Sequence, residues 1–182
     1  NLDTETGISV MKIEEKLDSG PVSNVYKIKL HNDHNAQEVS EKLSNLAAEK
    51  ILDNIDDILE DKAKFVNQDH TKASYAKKID KNEGKINWND EAKIIIGKIN
   101  GLFPIPGAFF NFHGERYKIL KAEIGNGIGQ VGEVISDKLE VACNNNKSIK
   151  IIEIQRQGKK PQKIGEFMLG SQIKKGSIIS NV

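Results

Sequence analysis

The chain has 182 residues, of which 37% are hydrophobic and 29% charged, a balance ordinary for a globular protein and unlike a disordered or low-complexity chain. Its apolar runs, such as Ile94–Ile96 and Ile178–Ile179, fall far short of the roughly 18 residues of a membrane-spanning helix, so no membrane partner is expected. The net charge of +1 hides an asymmetry: residues 1–62 carry 7 Lys, no Arg and 14 acidic residues, net −7, whereas residues 63–182 carry 20 basic and 12 acidic residues, net +8. A basic second part attracts polyanions, although lysines solvating exposed strand faces give the same count. Asn1–Gly7 is polar and acidic, unlike the basic start of a secretory signal. Cys143, alone, excludes an internal disulfide and suits a small core residue in a reducing compartment. The chain therefore reads as soluble and cytoplasmic.

Gly7–Ile13 has strand character, and Val22, Asn24, Tyr26, Ile28 and Leu30 alternate along a second extended run. With Asp18, Ser19 and Gly20 between them, the two predict a hairpin with an acidic tip. Asn35 followed by Glu38 is an N-cap pattern. Val39, Leu43, Leu46, Ala47, Ile51, Ile55, Ile58 and Leu59 then recur at helical spacing, predicting one long amphipathic helix over residues 36–61. One hairpin cannot cover such a stripe, so further sheet is expected from residues ahead of Asn1.

Residues 63–85 are polar and read as a linker. Asp90 is placed as the cap of a second helix bearing Ala92, Ile95, Ile96, Ile99 and Leu102, stopped by Pro104, Pro106 and Gly107. Five strands follow at short spacing, over residues 108–112, 116–122, 131–135, 139–143 and 148–155, with a His113-Gly114 turn between the first two. Such spacing favours a small barrel or sandwich. A short helix is expected near Gly165–Leu169.

Most candidate sites have plain structural readings. His31 and His34 flank Asp33 in a turn, with no second cluster to complete a coordination sphere, so no metal is expected. Gly125, Gly127 and Gly129 follow a strand but precede no helix, which suits a hairpin connection better than a phosphate loop. Trp88, Phe109, Phe110 and Phe112 could stack bases, but core packing is the more ordinary use of such a cluster.

Three segments in order, ISVMKIEEKLDSGPV (Ile8–Val22), YAKKIDKNEGKINW (Tyr75–Trp88) and LFPIPGAFFNFHGERYKILKA (Leu102–Ala122), resemble the methionyl-tRNA formyltransferase family of 10-formyltetrahydrofolate-dependent enzymes. Gln155–Lys160, QRQGKK, extends a likeness that covers nearly the whole chain. The resemblance implies the C-terminal portion of such an enzyme. Residues 1–62 would end an α/β formyltransferase catalytic domain as a hairpin plus long helix, 63–80 would be a linker, and 81–182 a small all-β OB-like barrel that binds tRNA. The rest of the catalytic domain is expected ahead of Asn1, leaving this portion inactive by itself.

Leu17-Asp18-Ser19-Gly20 matches the family segment that sets an Asp beside an upstream Asn and His. The resemblance implies that Asn and His stabilise a tetrahedral oxyanion while Asp18 orients the imidazole and a proton-relaying water. Apart from the resemblance, Asp-Ser-Gly is ordinary turn chemistry. Pro21 stands where tRNA formyltransferases often carry Asp and glycinamide formyltransferases more often Pro.

The implied reaction is formyl transfer from 10-formyltetrahydrofolate to the α-amine of initiator methionyl-tRNA in translation initiation, by a monomer without metal. A sugar N-formyltransferase and a free RNA-binding barrel are the alternatives. The likeness and the basic second part together assign tRNA contact to Lys77, Lys78 and Lys81 on the linker, Arg116, Lys118 and Lys121 on one strand, and Lys159, Lys160 and Lys163 near the end. Strand alternation sets Arg116 and Lys118 on one face and Lys121 on the other, provided no bulge intervenes. Folate-contacting residues are not identified.

Overall fold

The computed structural model describes residues 2–181. The chain divides into two compact units, Asp3–His31 with Glu38–Lys78, and Asn32–Gln37 with Ile79–Val182 and the extreme N-terminus.

In the first unit β1 (Glu5–Met11) and β2 (Val22–Lys29) pair antiparallel, with Ile8 opposite Tyr26. Val22, Asn24, Tyr26 and Ile28 are half-buried while Val25, Lys27 and Lys29 are exposed, the alternation expected of a sheet covered on one face. The long helix α1 (Ala36–Leu59) forms, yet none of its 24 residues is buried. Its half-buried line runs through Val39, Leu43, Leu46 and Ala47 and continues through Lys50, Asn54 and Ile58. Asn54 Nδ2 donates to Tyr26 Oη at 2.8 Å, and Lys50 Nζ lies 5.6 Å from the Tyr26 ring centroid. The expected stripe therefore splits, because polar residues meet the hairpin while Ile51, Ile55 and Leu59 remain 41%, 37% and 75% exposed. A two-stranded ribbon covers only one narrow line of a helix of this length.

Residues 63–85 are more structured than a polar linker. Val66 exchanges two backbone hydrogen bonds with Val22, both 2.9 Å, adding a third short extended segment beside β2. Single 3-10 turns occupy His70–Lys72 and Lys81–Gly84. The second is closed by a capping box in which Asp80 accepts from the Asn82 amide and Glu83 accepts from the Asp80 amide.

The second unit is built on an antiparallel sheet of β3 (Ala108–Phe112), β4 (Glu115–Gly125), β6 (Lys147–Arg156) and β5 (Glu140–Cys143), with the two-residue β7 (Gln162–Lys163) pairing β6. Helix α2 (Ala92–Gly101) buries Ala92, Ile95, Ile96 and Ile99 against it, and α3 (Ile164–Gly170) buries Phe167. Trp88, Phe110, Phe112, Ile119, Cys143, Ile149, Ile151 and Ile154 belong to the core, so three of the four clustered aromatics pack as expected, whereas Phe109, buried outside that core, lies beneath the Arg116 guanidinium. Burial raises the Cys143 thiol above its ordinary pKa.

The sheet curls without β3 pairing β5. The Lys85–Glu91 segment reaches both edges, with single parallel bridges from Lys85 to Phe109 and from Glu91 to Asn144. The described strands thus form a curled half-barrel.

Several local expectations change. Val131–Ile135 is no strand but a loop with single bridges at Glu133 and Val134, because Gly132 sits at φ +83° and breaks the extended run. Gly125–Gly129 is no hairpin connection: it leads from β4 to β5, which are separated by β6. The first residue flanking α2 is Glu91 with no side-chain cap, while Asp90 accepts from Asn87 Nδ2 at 2.9 Å in a preceding turn. His113 and Gly114, at φ 49° and 79°, form the two-residue connection expected between β3 and β4.

Candidate functional site

Asp18 lies on the ten-residue connection between β1 and β2, exposed, with its backbone in the left-handed region at φ 53°. An aspartate tolerates that region better than most residues. The base of the connection is closed by Lys12 N–H donating to Pro21 O at 3.0 Å, and Ser19 Oγ donates to Lys16 O at 2.8 Å. Gly20 is buried, and a Cβ there would stand 1.8 Å from Lys12 O, so only glycine fits. From fifty residues further along the chain, Gln68 Nε2 donates to Asp18 O at 2.9 Å and to Gly20 O at 2.7 Å. Sequence reasoning missed Gln68. It sits in the polar run Asn67–His70, where no periodicity or motif marks one residue from its neighbours; only the Val22–Val66 pairing brings it to the loop.

The nine predicted basic contacts fall into separate groups. Lys77 and Lys78 are exposed on irregular chain of the first unit, and Lys81 is exposed at the start of a 3-10 turn in the second. On β4, Arg116 stacks its guanidinium 4.0 Å from the Phe109 ring centroid, and the stem of Lys118 covers Gly107, where a Cβ would meet Lys118 Cδ at 2.5 Å.

Lys121 corrects an expectation. The β4–β6 register slips between Ile119 and Lys121 and slips back between Lys121 and Ala122, with Ile119 opposite Ile154, Lys121 opposite Glu153 and Ala122 opposite Ile151. Each strand contributes one extra residue, and each changes phase. Tyr117 and Ile119 are buried and Ala122 packs on the core, so Lys121 shares the outward face with Arg116 and Lys118. Glu153 is the register partner of both Lys121 and Lys163, and it binds Lys163 Nζ at 2.5 Å. This row carries two cations around one carboxylate.

Lys159 and Lys160 lie elsewhere, on the β6–β7 turn. They line a cleft of about 420 Å³ with Glu115, Tyr117, Arg156 and Glu166. Glu115 binds the Arg156 guanidinium and accepts the Tyr117 hydroxyl at 2.8 Å. Arg156 first and Tyr117 second hold the Glu115 carboxyl below the usual range. Burial, then the bond to Glu115, pushes the Tyr117 phenol up to about 12.

Residues 78–172 match the family described as formyl transferase, C-terminal domain, and the chain belongs to that family. Among relatives, the methionyl-tRNA formyltransferase of Pelagibacter ubique (strain HTCC1062) is 65% identical over 182 residues, covering 100% of this chain and 59% of that protein. The methionyl-tRNA formyltransferase of Brucella anthropi is 34% identical over 177 residues, covering 95% of this chain and 58% of its own length. The chain thus spans under two thirds of these relatives.

Solved structures share the fold at low identity. HypX from Aquifex aeolicus in complex with tetrahydrofolic acid superposes with TM-score 0.70 at 16% identity, over 92% of this chain and 30% of that one. The N-formyltransferase from Helicobacter canadensis, in complex with folinic acid and dTDP-3-aminofucose, gives TM-score 0.68 at 18% identity, over 85% of this chain and 56% of that one. No described helix is long and apolar enough to cross a membrane.

Proposed function

We propose that this chain is the C-terminal portion of an enzyme that transfers a formyl group from 10-formyltetrahydrofolate to the α-amine of initiator methionyl-tRNA. The observation that carries the reading is the 65% identity, over every residue of the chain, to a methionyl-tRNA formyltransferase. Residues 1–62 then end the catalytic domain, 63–80 form the connection, and 81–182 form an OB-like barrel closed through the Lys85–Glu91 segment. The preceding part of the enzyme covers the Ile51, Ile55 and Leu59 face of α1. The enzyme works as a cytoplasmic monomer.

In this reading Asp18 is the catalytic carboxylate. The acceptor amine must be neutral to attack, so a proton has to leave it as the new C–N bond forms and another has to reach the departing folate nitrogen. Asp18 holds the water and imidazole that carry those protons. Its exposed position on a loop braced from three directions supports this role. Lys77, Lys78 and Lys81, the outward row of Arg116, Lys118, Lys121 and Lys163, and the turn residues Lys159 and Lys160 supply phosphate contacts on the tRNA, which position it without reading bases.

The folds shared with a sugar N-formyltransferase make an amino sugar the competing acceptor. Incubating the full-length protein with 10-formyltetrahydrofolate and either methionyl-tRNA or dTDP-3-aminofucose tests the choice. Formylation of the tRNA alone is expected; formylation of the sugar alone would reverse it.

A further inference from the structure

We infer that Gln68 is a positioning residue for the catalytic loop, acting through Asp18; this rests on the catalytic reading of that aspartate. The Gln68 amide faces two carbonyl oxygens, Asp18 O at 2.9 Å and Gly20 O at 2.7 Å. Both partners can only accept, so the NH2 end of the side chain must face them, and it spends both of its hydrogens there. The two anchored carbonyls flank Ser19, whose hydroxyl is tied back to Lys16 O at 2.8 Å. The loop carrying the left-handed Asp18 is thereby held from within and from a segment 50 residues away.

The brace has a fixed foundation. Val66, two residues before Gln68, is locked to Val22 by two 2.9 Å backbone bonds, and Val22 is the first residue of β2. Gln68 therefore reaches the loop from a segment registered on the same strand that the loop enters. Gly20 cannot drift toward Lys12, since its backbone already lies against Lys12 O. What remains adjustable is the Asp18 peptide, and Gln68 removes that freedom. A carboxylate that must aim at a water and an imidazole is sensitive to such a shift, because displacement by about 1 Å can cost a rate factor of about 10².

Gln68→Glu is the discriminating substitution. It preserves size but turns a two-hydrogen donor into an acceptor facing two carbonyls. In the full-length protein it should lower kcat by about 10- to 100-fold. The KM for methionyl-tRNA should stay within about 3-fold, since the loop bears no predicted phosphate contact. The same substitution made in Asp18→Asn should cost less than about 3-fold more, because a positioning residue has nothing left to position. Single-turnover formylation reads these slow variants, and Gln68→Ala with a thermal unfolding curve separates misfolding from misaiming.

Near-normal kcat in Gln68→Glu beside a strongly impaired Asp18→Asn would overturn the inference and leave the role of Asp18 standing. Equal losses in both backgrounds would also overturn it. Normal turnover in Asp18→Asn would remove the catalytic reading itself and this inference with it.

Discussion

Tyr117 donates its hydroxyl to Glu115 at 2.8 Å while Arg156 holds the same carboxylate from the other side. Tyr117 is buried, stacks on Phe110 with ring centroids 5.4 Å apart and meets Phe167 edge-on, so this ion pair at the sheet margin is anchored in the core.

The arrangement predicts the alkaline limit of stability. With its phenol pushed up to about 12, folded Tyr117 keeps its proton above about pH 10, where an unfolded tyrosine loses it. The unfolded state is then favoured, and the stability contributed by Tyr117 is present below pH 10 and lost between about pH 10 and 12. Tyr117→Phe should flatten the fall of the urea midpoint over that window. Glu115 works in the opposite sense: its lowered pKa stabilises the fold above the ordinary carboxylate range, and the effect fades as pH drops below it. Glu115→Gln should therefore lessen the acid-side loss. Unchanged slopes in both variants would dissociate the pair from stability.

Gly132 offers a backbone test. It sits at φ +83°, and a Cβ would stand 2.5 Å from Ile179 O, in a residue whose own N–H donates to Gly132 O at 2.8 Å. Gly132→Ala should cost at least about 2 kcal/mol through left-handed strain and displaced backbone. A urea titration with unchanged m-value and lower midpoint is the expected result; an unshifted midpoint would mean that the loop relaxes freely.

Asp18→Asn in the full-length enzyme should reduce turnover by about 10²- to 10⁴-fold, the usual contribution of acid–base groups. Binding of uncharged initiator tRNA should hardly change. Formylation at the normal rate would exclude Asp18 from the chemistry.

The separate basic groups predict different RNA contributions. For every phosphate that a substitution leaves without its cation, the plot of log K against log salt should flatten by about 0.7 to 0.9. Replacing Lys77, Lys78 and Lys81 together by Ala, and separately Arg116, Lys118 and Lys121, each followed by tRNA binding across a salt series, ranks the two groups. An unaltered slope in either removes that group from the RNA surface. The Arg116 variant should be paired with Arg116→Lys, since Arg116 also covers Phe109.

Periodicity and turn chemistry made much of this chain readable before any tertiary contact was known. The alternation of Val22, Asn24, Tyr26 and Ile28, the α2 positions Ile95, Ile96 and Ile99, and the His113-Gly114 turn are local patterns, and each formed where expected. Asp18 was singled out only by the resemblance of Leu17-Asp18-Ser19-Gly20 to a family segment, its local pattern alone reading as a turn, and it does lie on the exposed connection between β1 and β2. Tertiary structure alone decided the rest, because paired bulges, backbone φ and distant amide donors depend on partners that local spacing does not encode. The compensating slips at Lys121 turned that lysine to the outward face, Gly132 dissolved an apparent strand, and Gln68 reached the Asp18 loop across 50 residues of chain. Neither hydrophobic pattern nor propensity distinguishes Gln68 from Asn67 or Asp69; the Val22–Val66 pairing does.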